Sequence, residues 1–256
     1  MKSFSLIVSL CMLAICFSVL AQGTNPNYYQ PRRIVNMPNA GLLPDKSWEG
    51  QIRLFEGGGL LFGFGIGLWG RTELAVSYGA HGVLGRGEPT LYPRPHFNLK
   101  IRPIQESENL PAIVIGYSGQ GHGLWDKENK RYALKSPGIY LVGSKNYATF
   151  GGNLGFHIGV NYSLETSDEG GLNTYLGIDK NFGEQFAVSI EYNAALDDNK
   201  TKDGLYGGGK GYLNASFKWS VRPDFEIEFI ANDLLINDQT ASTFAREIRI
   251  TFIYPL

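Results

Sequence analysis

The stretch Asn153–Leu164 reads Asn-Leu-Gly-Phe-His-Ile-Gly-Val-Asn-Tyr-Ser-Leu. Along an extended strand, successive side chains point to opposite faces. One face then carries Leu154, Phe156, Ile158, Val160, Tyr162 and Leu164, and the other carries Asn153, Gly155, His157, Gly159, Asn161 and Ser163. A strand of this length can cross a bilayer at a tilt. An apolar face opposite a polar one is typical of a strand in an outer-membrane barrel.

The same alternation recurs down the sequence and predicts twelve strands, with no convincing helix. The predicted strands span residues 48–57, 59–70, 72–79, 95–103, 111–118, 138–146, 152–165, 171–181, 185–195, 210–221, 224–232 and 245–254. The connections between them alternate between short turns and long loops, which is the arrangement of a bacterial outer-membrane barrel. We therefore expect an all-β fold, a transmembrane antiparallel barrel of about twelve strands.

A secreted lipocalin-like barrel or sandwich is the alternative, with the apolar face turned inward. Alternation alone does not say which face points inside. The strand number argues against the soluble alternative, because twelve strands enclose a space too wide to fill easily with side chains. The alternating loop lengths and an export signal argue against it as well.

The 256 residues divide into three predicted parts. Residues 1–21 resemble a cleaved signal peptide, with Lys2 before an apolar run from Phe4 to Leu20 and a small residue, Ala21, at the cleavage site. Residues 22–46 form a periplasmic lead-in that tucks into or under the barrel, and residues 47–256 form the barrel. Cys11 and Cys16 both leave with the signal peptide, so thiol chemistry is excluded.

Composition limits the partners of the protein. The net charge of −1 gives no reason to expect nucleic acid as a partner. A mean hydropathy of −0.15 argues against a bundle of membrane helices, whereas barrel strands average to such a value. We expect contact with outer-membrane lipid after export to the outer membrane of a diderm bacterium. Surface polysaccharide and envelope assembly proteins are the further candidate partners.

Charged residues on the polar strand faces are the best chemical clue. The predicted lumen-lining charges are Arg53, Glu73, Lys100, Arg102, Glu191, Lys218, Glu226, Glu228, Glu247 and Arg249. One interpretation is a constriction that selects solutes. The other, which the mixed signs favour, is a salt-bridge network that fills the lumen and holds the strand register. A pore for acidic sugars should carry a lining of nearly one sign, and this lining does not.

The sequence indicates no catalytic residue, cofactor site or metal site. Four histidines are scattered along the sequence, and His157 has no Ser or Asp at a spacing that suggests a triad. The acidic run Asp197–Asp203 lacks the glycine and the closing glutamate of a calcium loop. Gly63–Gly67 is followed by no helix, so it is not a nucleotide loop.

Three stretches resemble the YjbH-like family of outer-membrane proteins, which is associated with exopolysaccharide operons. They are Ile-Val-Asn-Met-Pro-Asn-Ala-Gly-Leu-Leu-Pro-Asp at 34–45, the run from His96 to Gly116 that contains Leu-Pro-Ala, and Tyr-Leu-Val-Gly-Ser-Lys at 140–145. The likeness covers residues 34–160. The sequence is much shorter than full-length members, and Ser118–Gly123 departs from the family pattern. The resemblance implies an envelope location and a link to surface polysaccharide.

Three functional hypotheses follow. The first is a non-enzymatic barrel that supports export or passage of surface polysaccharide or small solutes, and a conducting lumen would support it. The second is a closed structural or binding barrel whose outer loops contact polysaccharide or envelope partners. The third and weakest is a membrane-embedded hydrolase, which would lose its activity when one Ser or His is replaced.

Overall fold

A computed structural model describes residues 31–85, 88–165, 170–198 and 206–256. The predicted signal peptide, residues 1–21, and the first part of the predicted lead-in, residues 22–30, lie outside the described residues. Within the described part, no helix is long and apolar enough to span a bilayer.

Twelve long antiparallel strands close into one barrel. In sequence order they are β1 (Ser47–Phe55), β2 (Gly59–Leu68), β3 (Thr72–His81), β5 (His96–Ile104), β6 (Ala112–Ser118), β9 (Gly138–Thr149), β10 (Gly152–Tyr162), β11 (Leu172–Phe182), β12 (Phe186–Asn193), β13 (Tyr212–Arg222), β14 (Phe225–Asn232) and β15 (Ala245–Pro255). Three short strands in the loops complete the numbering: β4 (Thr90–Leu91), β7 (His122–Asp126) and β8 (Arg131–Leu134). Each long strand pairs with the next long strand in sequence, and β1 pairs with β15 to close the ring.

Each of the twelve predicted strands is present, with small differences at the ends. The largest are at β9, which continues to Thr149, and at β10, which ends at Tyr162. The structure adds short elements inside the loops: a 3₁₀ turn (Glu56–Gly58), β4, and a hairpin of β7 and β8. Alternation over a few residues is too brief to reveal such elements from sequence.

The two faces of the sheet differ as the alternation predicts. On β10, Ile158 is 66% exposed and Phe156 is 42% exposed, whereas the intervening His157 is buried. The same contrast runs along β11 and β12, where Ile178 and Ile190 are exposed and Asp179 and Glu191 are buried. A polar interior within an apolar exterior is the inverse of a soluble barrel. The barrel therefore presents its apolar face to lipid.

A charge on the outer face should block membrane assembly. We predict that Ile158→Arg destabilises the inserted barrel by about 2 to 4 kcal/mol, the cost of an arginine near the bilayer midplane. Asn98→Arg is the control, because Asn98 faces a cavity in the lumen. Insertion into lipid vesicles, scored by heat-dependent gel migration, should fail only for Ile158→Arg. Equal tolerance of the two arginines would contradict an outward apolar face.

Candidate functional site in the barrel lumen

The structure places the ten predicted charges on the inner face of the sheet, at different depths. Eight are buried: Arg53, Lys100, Glu191, Lys218, Glu226, Glu228, Glu247 and Arg249. Glu73 and Arg102 are partly exposed. Arg102 lies toward the short-turn end, where its Nη2 donates to the Gly70 carbonyl oxygen at 3.2 Å.

A row of four charges crosses adjacent strands. The register sets Lys218 opposite Glu228, Glu228 opposite Arg249, and Arg249 opposite Arg53. Arg249 Nη1 lies 2.6 Å from Glu228 Oε2. Arg53 Nε reaches along the lumen to Glu247 Oε2 at 2.7 Å. This part of the lining is a network of ion pairs, which agrees with the interpretation that the mixed signs favoured.

Other charges of the lining bind a part of the protein that belongs to no strand of the barrel. Residues 31–43, which we name the lumen segment, lie inside the barrel, and most of them are buried. The segment turns back on itself: Ile34 N donates to Met37 O at 2.9 Å, and Arg33 forms an isolated bridge with Pro38. The described part of the predicted lead-in, residues 31–43, thus lies in the lumen.

Glu191 on β12 is the main acceptor for the lumen segment. One of its carboxylate oxygens, Oε2, receives the backbone N–H groups of Val35 at 2.9 Å, Asn36 at 2.8 Å and Met37 at 2.8 Å. The other oxygen, Oε1, accepts from Asn214 Nδ2 at 2.8 Å. Successive N–H groups that converge in a turn form a concave site for an anion. The side chain is fully buried, and these charge-assisted bonds satisfy it.

Basic residues bind the carbonyl groups of the same segment. Lys100 Nζ donates to Gly41 O at 3.1 Å and to Arg32 O. Arg249 Nη2 donates to Val35 O at 3.0 Å. The positive charges of the lining therefore hold the segment's acceptors, while the negative charges hold its donors.

Two further backbone N–H groups and the side chain of Asn36 add to the attachment of the segment. Ala40 N donates to Ser144 Oγ at 2.9 Å, and Leu43 N donates to Glu73 Oε2 at 2.9 Å. Asn36 Oδ1 accepts from Arg53 Nη2 at 2.7 Å, and Asn36 Nδ2 donates to Asn232 Oδ1 at 2.8 Å. The segment is thereby linked to strands all around the barrel.

The segment also supplies the apolar part of the interior. Its buried apolar residues pack in one cluster with inward side chains of β6, β9 and β11. The cluster consists of Ile34, Met37, Ala40, Ala112, Val114, Tyr140, Val142 and Tyr175. Burial of one large aliphatic side chain stabilises a fold by about 1.5 to 3 kcal/mol. Both polar and apolar contacts therefore hold the segment.

The β7–β8 hairpin crosses the long-loop end of the barrel. His122 Nε2 lies 2.6 Å from Glu247 Oε1 on β15, although four strands separate β15 from β6 by the shorter way round. Loss of water contact, together with the positive charge of Arg53, lowers the pKa of His122 and favours its neutral ring. Arg131 Nη1 binds Asp198 Oδ1 at 2.6 Å on the loop after β12. The hairpin therefore covers this mouth.

Sequence reasoning missed a row of Ser144, His157 and Asp179. His157 Nδ1 lies 2.8 Å from Ser144 Oγ, and His157 Nε2 contacts Asp179 Oδ2. These residues stand on β9, β10 and β11, so strand register rather than sequence spacing joins them. None of these three residues lines either of the two lumen cavities described below. The Ser144 hydroxyl accepts a hydrogen bond from the Ala40 N–H group. The row links the sheet wall to the lumen segment.

Two cavities remain around these contacts. One of about 110 Å³ lies between the lumen segment and the wall, beside Glu73, Asn98 and Lys100. The other, of about 290 Å³, opens near the long-loop end beside Phe55, Tyr212 and Asp238. Both are lined in part by His122 and Leu134, so they adjoin beneath the hairpin.

The closed antiparallel sheet, apolar outside and polar inside, defines an outer-membrane β-barrel. No family model matches the protein, and no curated protein matches it. Among solved structures it is similar to a KdgM porin, with a TM-score of 0.47 and 10% identity over 80% of this protein and 98% of that porin. It is also similar to a NanC porin, with a TM-score of 0.43 and 9% identity over 82% and 99%.

The buried residues Arg249 and Glu228 should be energetically coupled, although Arg249 also donates to the Val35 carbonyl oxygen. We predict that Arg249→Met destabilises the barrel by about 3 to 5 kcal/mol, because it leaves a buried carboxylate without its partner. Adding Glu228→Leu should recover much of that loss, which a double-mutant cycle of urea unfolding in lipid vesicles would measure. Arg222→Met, at the exposed pair with Asp224, should leave the midpoint unchanged. Additive losses would show that the two groups do not interact.

Proposed function

We propose that this protein is an outer-membrane channel for small polar solutes, closed at rest. One observation carries the proposal: the strand wall encloses a polar space wide enough to hold the thirteen-residue lumen segment together with a cavity of about 110 Å³. The lumen segment and the hairpin fill this space. Neither of them is a strand of the barrel sheet. A space that accommodates a folded-back peptide would accommodate a sugar once the peptide has left.

The signs of the lining indicate the kind of solute. Both signs of charge are present around the lumen. The buried positive residues include Arg53, Lys100 and Arg249, and the buried negative residues include Glu191, Glu228 and Glu247. Rings of one charge select ions of the opposite sign, whereas mixed rings give weak ionic selection. Neutral or zwitterionic solutes, such as uncharged sugars, therefore fit this lining better than an acidic polysaccharide.

We further propose that the channel takes part in the passage of surface polysaccharide. The resemblance of residues 34–160 to the YjbH-like family supports it, as does the envelope location expected of such a barrel. An acidic polymer does not suit the mixed lining, because it would meet repulsive carboxylates along its whole path. The proposal is therefore restricted to neutral polysaccharides or their fragments.

A second candidate function is a closed barrel with a binding or structural role. The observation that favours it is the extent of the filling, since ion pairs brace the lining and both polar and apolar contacts hold the lumen segment in place. In that case the long loops, including the β7–β8 hairpin, would meet polysaccharide or an envelope partner.

Single-channel conductance in a planar bilayer separates the two candidates. We predict that the refolded protein shows brief, small steps. The double variant Lys100→Gln, Glu191→Gln should stay open longer, because both substitutions weaken the attachment of the lumen segment. The matched control is Lys127→Gln, Glu128→Gln, which removes the same two charge signs from the exposed turn of the hairpin and should behave as the wild type. Correctly folded barrels that are silent in all three forms would support the closed barrel.

A further inference from the structure

We propose that the lumen is a recognition site for a peptide backbone, and that the lumen segment is a displaceable plug that occupies it. The ligand class is a turned peptide with apolar side chains, and the native occupant is residues 31–43 of this protein. The opening of a pathway upon displacement rests on the proposed function. The binding of the peptide does not.

The wall of the lumen matches the polar groups of a peptide backbone. Wall residues accept from backbone N–H groups and donate to backbone carbonyl groups along the whole segment. The N–H groups are those of Val35, Asn36, Met37, Ala40 and Leu43, and the carbonyl groups are those of Arg32, Val35 and Gly41. A buried backbone without secondary structure needs such partners for both of its polar groups. The lining supplies them.

The strand ladders of the barrel do not depend on the lumen segment. The barrel closes through strand ladders alone, and β1 pairs directly with β15. Within the described residues, the nearest backbone hydrogen bond to the sheet is Lys46 N to Gly67 O at 3.0 Å, beyond the end of the segment. Departure of residues 31–43 would therefore break contacts with wall side chains but no strand ladder.

The wall also matches the lumen segment in shape. Gly177 on β11 faces the segment, and a Cβ atom placed there would lie 2.4 Å from Ile34 Cγ2. A Cβ at Gly67 on β2 would lie 2.1 Å from the Pro44 carbonyl oxygen, where the backbone leaves the lumen. Any larger residue at these two inward positions would collide with the segment or its exit. The wall is thus contoured to this particular peptide.

The plug is joined to β1 by the exposed residues Pro44, Asp45 and Lys46. Because this link is exposed, the backbone can be cut there after folding. A recognition sequence for a site-specific protease, inserted there in the full-length protein, would separate the plug from an already folded barrel. The probes are gel filtration of the cut protein in detergent and exchange with a labelled synthetic peptide of residues 31–44. Unheated gel migration reports that the barrel stays folded.

We expect the cut plug to stay with the barrel and to exchange with the labelled peptide while the barrel remains folded. Glu191→Gln should raise the release rate about tenfold or more, because three backbone N–H groups lose a charged acceptor. Glu184→Gln, in the exposed turn between β11 and β12, is the matched control and should leave the rate unchanged.

A steric variant tests the same site without changing charge. Gly177→Ala should weaken binding of the labelled peptide. A peptide carrying Ile34→Ala should bind this variant better than the native peptide does, because it lacks both atoms that approach Gly177 most closely. Such reciprocal recovery requires direct contact between the two positions.

Three results would overturn the proposal. One is immediate loss of the cut plug from the wild-type barrel, and another is an equal release rate for Glu191→Gln and Glu184→Gln. The third is exchange only after the barrel unfolds, which would make the segment part of the core. If the peptide exchanges as expected but the vacated barrel does not conduct, the result supports the peptide-recognition site and contradicts the proposed channel.

Discussion

The contact between the Glu191 carboxylate and three consecutive backbone N–H groups is the interaction on which the interior depends. A carboxylate buried in a barrel has lost its water and needs donors. A segment without regular structure needs acceptors for its N–H groups just as strongly. Each would be unfavourable in the lumen alone. Together they satisfy each other, and this explains why an acidic residue and an irregular segment are both stable at the centre of the molecule.

The same logic explains the mixed signs of the lining. For an ion channel, neighbouring positive and negative side chains would cancel each other's effect. For a peptide, both signs are needed, because a backbone presents donors and acceptors in alternation. Lys100 and Arg249 bind carbonyl groups, whereas Glu191 and Glu73 bind N–H groups. The ion pairs Arg53–Glu247 and Arg249–Glu228 then hold the basic residues in position.

The sequence predicts the barrel well, because strand alternation is a local property that each strand displays by itself. All twelve strands follow from it, and the strand number, the alternating loop lengths and the export signal then indicate that the charges point inward. The contacts of the lumen segment do not follow from it: the sequence predicts a lead-in that tucks into or under the barrel, but no periodicity says which wall residues it contacts. The row of Ser144, His157 and Asp179 is hidden for a related reason, since it depends on the register of three strands. Contacts that depend on strand register, or that the lumen segment makes with the wall, cannot be read from the spacing of residues along the sequence.

The pairing of β1 with β15 has a consequence for the order of assembly. The ring closes only when the first and the last barrel strands meet, and residues 44–46 join the lumen segment to the first. The segment therefore either lies within the curved sheet before the seam forms or is threaded afterwards through the short-turn end. The former route makes the segment a template: it offers polar groups to the inner faces of strands that have not yet closed. The growing sheet would then wrap around its own plug, and the seam would seal last.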